Sequence, residues 1–265
     1  MTIPTFRLNS GYGIPALGLG TYKLEPSLTA NVVERALQLG YRHIDTAALY
    51  GNEAEVGQGL RGSGVPREEV FVTTKLWNDR HRHDDALRAF DQSLSLLGLD
   101  YVDLYLIHWP VPADGLMVEA WQALIDIAAT GRARSIGVSN FQSEDLAAVI
   151  DATGVVPAVN QIELHPLHQQ RDLRSVDTDL GIVTEAWSPL GRGADLGNDT
   201  VRALAAETGR SAAQVVLRWL IQLGIVAFPK TSRPERLAEN LAIGDFELRT
   251  DQMERLNSIA EPASA

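Results

Sequence analysis

The chain contains no cysteine. This absence excludes disulfide bonds, zinc sites built from thiolates and a cysteine nucleophile, and it fits a cytoplasmic protein. No apolar run approaches the length of a membrane-spanning helix. Residues 1–13 also lack the basic stretch and apolar run of a signal peptide. We therefore expect a cytoplasmic protein with no membrane partner.

Positive charge is also scarce. The sequence has 23 Lys and Arg against 34 Asp and Glu, which gives a net charge of −11. A chain this acidic has no general attraction for nucleic acid, so we expect no nucleic-acid partner. An anionic ligand would need a local cluster of cations. Hydrophobic residues make up 45% of the 265 residues, which is enough for an ordinary globular core.

Short β-type runs alternate with helical patterns along the whole chain. Most of the runs are rich in Val, Ile or Leu, as is typical of strands buried on both faces. The eight predicted strands cover residues 16–20, 42–45, 70–76, 102–108, 134–139, 157–163, 181–187 and 224–230. Helical patterns are clearest over residues 27–40, 82–98 and 200–209.

This alternation over about 250 residues predicts an α/β fold, a single (β/α)8 TIM barrel domain over residues 1–265. Residues 6–19 hold a glycine-rich turn between two short β-type runs, which predicts an N-terminal β-hairpin before the first barrel strand. An open doubly wound sheet is the alternative.

Polar residues mark the ends of the predicted strands, where a barrel carries its active site. Asp45 ends the second strand and Tyr50 follows in its loop, while Lys75 ends the third strand and His108 the fourth. Any one of these could be an ordinary polar residue at a strand end. Four chemically complementary residues from three successive strands and their loops indicate catalysis instead. Later strands end in Ser139, Asn140, Trp187, Ser188, Lys230 and Thr231, and Gln161 lies within the sixth strand.

Eight motifs in order resemble those of the aldo-keto reductases: GLGTYK (18–23), HIDTAALYGNE (43–53), TKLW (74–77), LIHWP (106–110), IGVSNF (136–141), NQIELHP (160–166), AWSPLGRG (186–193) and FPKTSRPERLAENL (228–241). The subgroup most similar is the short prokaryotic one that includes 2,5-diketo-D-gluconate reductases. The resemblance implies the barrel, NADP(H) bound without a Rossmann fold, and a catalytic tetrad of Asp45, Tyr50, Lys75 and His108.

The chemistry of carbonyl reduction fits these four residues. Hydride addition needs an acid to protonate the carbonyl oxygen, and a nearby Lys75 ammonium is expected to lower the pKa of Tyr50. Asp45 would hold Lys75, and His108 would orient the carbonyl. We therefore expect an NADPH-dependent oxidoreductase that reduces aldehydes and ketones with Tyr50 as general acid. Expected substrates are small carbonyls, α-keto esters, and dicarbonyl or keto-sugar compounds.

The resemblance also implies the cofactor site. Residues 230–236 bring three cations together in an acidic chain, which suits the 2′-phosphate of NADPH, although the family residue at Arg233 is usually uncharged. Trp187 is expected against the nicotinamide ring. The predicted cofactor contacts are Gly20, Thr21, Tyr22, Asp45, Ser139, Asn140, Gln161, Trp187, Ser188, Leu190, Gly191, Lys230, Thr231, Ser232, Arg236, Glu239 and Asn240.

Aromatic residues just beyond strand ends predict the substrate pocket. Tyr22, Trp77 and Trp109 are expected to contact substrate together with Tyr50 and His108. The neighbouring loops are short, and aromatic walls with few polar anchors do not demand one pattern of hydrogen bonds. We expect an open pocket with a broad range of small-molecule carbonyl substrates, in a protein that is a monomer.

Three other patterns suggest chemistry less specifically. Residues 57–62 satisfy G-x-G-x-x-G but follow a helical pattern rather than a strand, so the dinucleotide-binding context is missing. Residues 81–85 read HRHDD at a predicted helix start, where Asp84 or Asp85 is expected to act as a cap. Residues 165–168 place two histidines around a proline. We assign no metal to any of them.

His43 precedes Asp45 in the same strand, and we interpret it as a packed structural residue. Two other functions remain open on the sequence alone. A metal-dependent barrel hydrolase would need paired histidine ligands at an early strand end. A nucleotide sensor without turnover would not need an intact tetrad.

Overall fold

The chain begins with an antiparallel hairpin that closes one end of a barrel. The computed structural model describes residues 3–260, and β1 (Thr5–Arg7) pairs there with β2 (Gly13–Pro15). Leu8 and Ile14 from this hairpin are buried against side chains of the barrel strands. Gly11 has a φ of 90° in the turn, a conformation that favours glycine. The predicted hairpin is confirmed.

Eight parallel strands follow, each paired with the next in chain order. They are β3 (Leu19–Gly20), β4 (His43–Asp45), β5 (Phe71–Leu76), β6 (Val102–Ile107), β7 (Ala133–Ser139), β8 (Val159–Glu163), β9 (Val183–Trp187) and β10 (Val226–Ala227).

The first and last strands meet and close the sheet into a barrel. Leu17 and Ala227 form a parallel bridge. The Gly18 amide donates to the Ala227 carbonyl at 2.9 Å, and the Ala227 amide donates to the Ala16 carbonyl at 2.9 Å. The predicted (β/α)8 barrel is therefore confirmed, and the open sheet is excluded.

The two strands at this closure are shorter than the sequence predicts. The prediction gave residues 16–20 and 224–230, whereas the regular strands are only β3 and β10. The backbone at Gly20 lies very close to the backbone at Phe228, since a Cβ on Gly20 would lie 2.9 Å from the Phe228 carbonyl oxygen. Pro229 has no amide hydrogen to extend the ladder.

Within residues 3–260, ten α-helices connect or flank the strands. Those over the predicted segments agree with the prediction to about a residue. The helices are α1 (Pro26–Leu39), α2 (Glu53–Gly62), α3 (His83–Leu97), α4 (Met117–Ala129), α5 (Ser143–Thr153), α6 (Arg171–Asp179), α7 (Asp199–Thr208), α8 (Ala212–Gln222), α9 (Pro234–Leu241) and α10 (Thr250–Asn257).

The glycines of the G-x-G-x-x-G pattern serve helix packing. All three lie inside α2. A Cβ on Gly57 would overlap the backbone oxygen of Leu97, and one on Gly59 would lie 2.5 Å from the Ala30 carbonyl oxygen. These glycines allow α2 to approach α1 and the end of α3, so the pattern is structural.

The expected aspartate cap at residues 81–85 is wrong. Helix α3 begins at His83 with Arg82 at the N-cap position, so both aspartates lie inside the first turn. Asp84 is 3.2 Å from His83 Nδ1, and Asp85 pairs with Arg88 at 2.6 Å. Within residues 3–260, no group of three or more His, Asp or Glu could hold a metal ion. Over the same range, no helix is long and apolar enough to cross a membrane.

Candidate active site

The four predicted catalytic residues meet at the carboxyl ends of neighbouring barrel strands. Asp45 is the last residue of β4, Lys75 lies near the end of β5, and His108 directly follows β6. Tyr50 ends a short 3-10 turn that follows β4. The parallel register of β4, β5 and β6 places these ends side by side.

Lys75 is at the centre of the group and is fully buried. Its ammonium nitrogen donates to Asp45 Oδ1 at 2.7 Å and to the Thr46 carbonyl at 2.8 Å. A third and longer hydrogen bond joins Lys75 Nζ to Tyr50 Oη at 3.4 Å. A buried charge is tolerated when it is paired and hydrogen-bonded in this way.

Electrostatics keeps Lys75 charged. Burial opposes its charge, but Asp45 and Tyr50 outweigh burial, and the pKa of Lys75 is raised. Burial raises the pKa of the Asp45 carboxyl, while the Lys75 ammonium favours its ionised form.

The expected lowering of the Tyr50 pKa is wrong for this structure. Burial of the phenol raises the pKa of Tyr50, and the lowering effect of Lys75 does not overcome it. The negative charge of Asp45 also raises the pKa, because it offsets part of the Lys75 field. Tyr50 therefore keeps its proton at neutral pH.

His108 stands beside Tyr50 as a neutral ring. Burial, followed by the Lys75 charge, lowers the pKa of His108 to about 3. Its ring packs edge-on against Trp77, with centroids 5.1 Å apart, and against Tyr50 at 5.8 Å. A neutral imidazole can donate a hydrogen bond but holds no acidic proton at neutral pH.

Strands β7, β8 and β9 and the residues that follow them contribute amides, a hydroxyl and an indole to the site. Asn140 Nδ2 donates to the His108 carbonyl at 2.9 Å, and Trp187 Nε1 donates to Asn140 Oδ1 at 2.8 Å. The Ser139 hydroxyl donates to the Gln161 carbonyl at 2.8 Å. Asn140 and Ser188 have φ values of 63° and 50°, which are uncommon for residues with a Cβ and cluster at functional sites.

Sequence reasoning missed Glu185, which lies inside the barrel on β9. Gln161 Nε2 donates to Glu185 Oε2 at 2.7 Å and to Asp45 Oδ2 at 2.9 Å. Burial, followed by the charge of Asp45, raises the pKa of Glu185 to about 8. The available signal was a glutamate in the middle of an apolar predicted strand.

A cavity of about 520 Å3 opens over these residues. Its lining includes Asp45, Tyr50, His108 and Gln161, together with the exposed aromatic rings of Tyr22 and Trp109. Four exposed cations also line it, and sequence reasoning missed two of them: Lys23, Arg192, Lys230 and Arg236. In the described part of the chain, no carboxylate lies within 4.0 Å of their nitrogen atoms.

The sequence matches the model of the Aldo/keto reductase family over residues 11–261. The chain belongs to the aldo/keto reductase family. An aldo-keto reductase of Mycolicibacterium smegmatis is 50% identical over 256 residues, which cover 97% of this chain and 93% of the relative. Morphine 6-dehydrogenase of Pseudomonas putida is 48% identical, with 97% of this chain and 91% of the relative covered.

Solved structures share the architecture. The apo form of Gox0644 superposes with a TM-score of 0.96 at 46% identity, covering 99% of this chain and 96% of the other. A Gox0644 variant in complex with NADPH gives a TM-score of 0.95, also at 46% identity, with coverage of 98% and 95%. A Bombyx mori aldo-keto reductase in complex with NADP superposes with a TM-score of 0.91 at 38% identity, covering 98% of this chain and 94% of the other.

In this aldo/keto reductase, most of the predicted contact residues line the cavity. Those that do are Gly20, Tyr22, Asp45, Tyr50, His108, Trp109, Ser139, Asn140, Gln161, Trp187, Ser188, Leu190, Lys230 and Arg236. Lys75 lies behind them, buried beneath Tyr50 and Asp45.

Seven predicted contact residues lie outside the cavity lining: Thr21, Trp77, Gly191, Thr231, Ser232, Glu239 and Asn240. Thr21 is buried and donates from its hydroxyl and amide to the Asp45 carbonyl, both at 3.0 Å. The Trp77 ring packs against His108. Asn240 is buried within α9, and Thr231 Oγ1 accepts from the Arg233 amide at 3.1 Å. Their contacts with cofactor or substrate stay predictions.

His43 and His165, which the sequence analysis singled out, contact structural partners. His43 is fully buried, lies 3.3 Å from the Pro15 carbonyl and 3.2 Å from Thr73 Oγ1, and so is a packed structural residue as expected. His165 pairs with the buried carboxylate of Asp195 at 3.0 Å.

Proposed function

We propose that this protein is an NADPH-dependent reductase that converts aldehydes and ketones to alcohols, with Tyr50 as the general acid. The observation that carries the proposal is the Tyr50 hydroxyl at the cavity, 3.4 Å from the ammonium of the buried Lys75–Asp45 pair. A phenol next to a fixed cation is a proton donor whose conjugate base is stabilised before the reaction begins.

The residues of the cavity fit NADPH. Lys230 and Arg236 line the cavity with no carboxylate partner among residues 3–260, in a chain of net charge −11, which suits a 2′-phosphate. Ser139, Asn140 and Gln161 offer amide and hydroxyl groups for a carboxamide, and Trp187 offers a ring face. When bound, NADPH supplies the hydride that adds to the carbonyl carbon.

The side chains of the tetrad then orient the carbonyl and supply the proton to its oxygen. The neutral His108 ring donates a hydrogen bond to the carbonyl oxygen and so orients the carbonyl. Tyr50 gives its proton to that oxygen as negative charge develops, which is favourable because an alkoxide is far more basic than a phenolate. Lys75 stabilises the phenolate left behind, and Asp45 fixes Lys75. Solvent then returns a proton to Tyr50.

The walls of the cavity favour a broad substrate range. Tyr22 is 49% exposed and Trp109 is 41% exposed, and Leu49, Leu190 and Leu196 add apolar surface to the lining. Apolar walls discriminate weakly between substrates that differ by a methylene or an added hydroxyl. We propose small aldehydes, α-keto esters, dicarbonyls and keto-sugars as substrates. The name of the Pseudomonas putida relative, morphine 6-dehydrogenase, supports room for larger ring systems.

The decisive assay follows NADPH absorbance with a panel of these carbonyls. We expect turnover of several of them, insensitive to chelators, which separates a reductase from a metal-dependent hydrolase. NADPH binding without turnover of any carbonyl would point to a nucleotide sensor. Failure to bind NADPH would contradict the proposal outright.

Trp109→Ala tests the apolar wall within the same assay. Because the indole would contact substrate without touching the reacting atoms, we expect KM to rise by more than kcat falls. A fall in kcat alone, with KM unchanged, would exclude this role for Trp109.

A further inference from the structure

Glu185 is a buried carboxyl group that the tetrad chemistry does not use. Its side chain is fully buried in the barrel, and its one hydrogen-bond partner in the described chain is Gln161. Its other oxygen, Oε1, is buried without a partner. Asp45 and Lys75 face it electrostatically from β4 and β5, and its pairing partner on β10 is the apolar Val226. A polar group left partly unsatisfied in a core is costly.

Glu185 contacts the Gln161 side-chain amide, and this contact helps to fix the orientation of the amide. Its nitrogen has two hydrogens, which it donates to a carboxylate oxygen of Asp45 at 2.9 Å and to an oxygen of the Glu185 carboxyl group at 2.7 Å. A carboxyl group on each side fixes which end of the amide is the nitrogen. The carbonyl oxygen is therefore the group of this amide that remains available to a ligand in the cavity.

We propose that Glu185 is a positioning residue of the cofactor site, which holds the Gln161 amide with its carbonyl oxygen towards the nicotinamide carboxamide. The inference rests on the proposed function, because it takes NADPH as the ligand. Through Gln161, Glu185 also couples this contact to the Asp45–Lys75 pair that supports the Tyr50 acid.

The protonation state of Glu185 gives this role a pH dependence. With its pKa raised to about 8, the carboxyl is neutral at pH 7 and ionises above pH 8. Ionisation adds negative charge beside Asp45, which disfavours the Tyr50 phenolate formed during reduction. Turnover should therefore fall as pH rises through about 8.

Two variants separate the hydrogen bond that Glu185 accepts from Gln161 from the ionisation of the Glu185 carboxyl. Glu185→Gln keeps an acceptor oxygen for Gln161 but cannot ionise, whereas Glu185→Leu removes the acceptor. Asp177→Asn is the matched control, because Asp177 is another buried carboxyl with a raised pKa, but it bonds Asn160 and Thr184 away from the cavity. Each variant is tested for NADPH affinity by fluorescence titration and for kcat between pH 6 and 10.

At pH 7 we expect Glu185→Leu to weaken NADPH binding about tenfold, the scale of one lost hydrogen bond, while Glu185→Gln stays within about threefold. In Glu185→Gln the alkaline fall in kcat should move to higher pH. Asp177→Asn should change neither quantity.

Thermal unfolding without cofactor gives an independent readout. The folded state keeps the Glu185 proton between about pH 4.5 and 8, where the unfolded chain releases it, so this carboxyl lowers stability progressively across that window. The melting temperature of Glu185→Gln relative to wild type should therefore rise from pH 5 to 8 and level off above.

Wild-type NADPH affinity in Glu185→Leu, or an unshifted pH profile in Glu185→Gln, would overturn the inference. Should Glu185→Leu fail to fold, the pH profile of Glu185→Gln decides. If only the role of Glu185 is wrong, the wild-type protein still turns over carbonyls with NADPH. If the wild-type protein consumes no NADPH, the proposed reductase function itself is wrong.

Discussion

At the scale of single residues, Lys75 sets the chemistry of its neighbours. Its ammonium is held by Asp45 and Thr46 and adds to burial in lowering the pKa of His108, while burial keeps Tyr50 protonated. The sequence could place these residues at one barrel mouth because each follows a strand end. It could not give the direction of the Tyr50 pKa shift, because that depends on how deeply the phenol is buried.

Tyr50→Phe isolates the proton donor. The phenyl ring can keep its packing against Tyr22, whose centroid lies 5.0 Å away, so NADPH should still bind. Without the hydroxyl, kcat should fall by about 10²–10⁴-fold, the usual contribution of general acid catalysis. Steady-state kinetics and a binding titration measure the two effects.

Tyr105→Phe is the matched control for this substitution. The Tyr105 hydroxyl on β6 is buried without a partner and does not line the cavity. Its removal should leave kcat unchanged and should not lower stability. Full activity in Tyr50→Phe would refute the assignment of Tyr50 as the acid.

Arg236→Ala tests cofactor choice. Arg236 lines the cavity and has no carboxylate partner among the residues that the structure describes. The loss of its hydrogen bond to a charged phosphate should weaken NADPH binding about ten- to hundredfold, while NADH affinity barely changes. Arg233→Ala is the matched comparison, because Arg233 belongs to the same group of cations but is the exposed N-cap residue of α9 outside the lining, so its loss should weaken NADPH less. Equal losses for the two cofactors in Arg236→Ala would show that Arg236 does not recognise the phosphate.

At the scale of elements, strands β4 to β9 and the three clearest helices agree closely with the sequence-based prediction, because long apolar runs and amphipathic patterns identify them. β3 and β10 are shorter because glycine and proline interrupt their ladders. Glu185 is unusual in the sequence as a glutamate inside an apolar predicted strand, but only the fold shows what it contacts. Lys23 and Arg192 could not be identified as site residues without the fold, since only their three-dimensional position separates them from ordinary surface cations.

Gly57→Ala tests the packing of α2. The added methyl would overlap the Leu97 backbone oxygen, so α2 or the end of α3 must shift, at a cost of about 1–3 kcal/mol. Denaturant unfolding should show this loss, while kcat at low temperature stays near the wild-type value. Gly197→Ala is the control, because a Cβ there meets nothing within 4 Å. An unchanged unfolding midpoint in Gly57→Ala would mean that the helices adjust freely.

At the scale of the whole molecule, charge is distributed unevenly. The net charge is −11, yet four cations with no carboxylate partner in the described part of the chain line one cavity at the carboxyl ends of the strands. The negative surface keeps nonspecific anions away, and the local cations make this mouth the favoured place for an anionic ligand. Composition predicted the need for such a cluster, but only the barrel shows that Lys23 and Arg192 join the two cations from the end of the chain.

Barrel closure between β3 and β10 has a consequence for hydrogen exchange. This junction has few backbone hydrogen bonds, and the one from the Gly20 amide to the Pro229 carbonyl is long at 3.4 Å. We expect the Gly18 and Ala227 amides to exchange with deuterium faster than amides in β5 and β6, because a short ladder opens at lower free energy. Since Gly20 and Lys230 line the cavity on either side of this junction, NADPH should slow that exchange selectively. Uniform protection around the barrel would instead mean that it opens only by global unfolding.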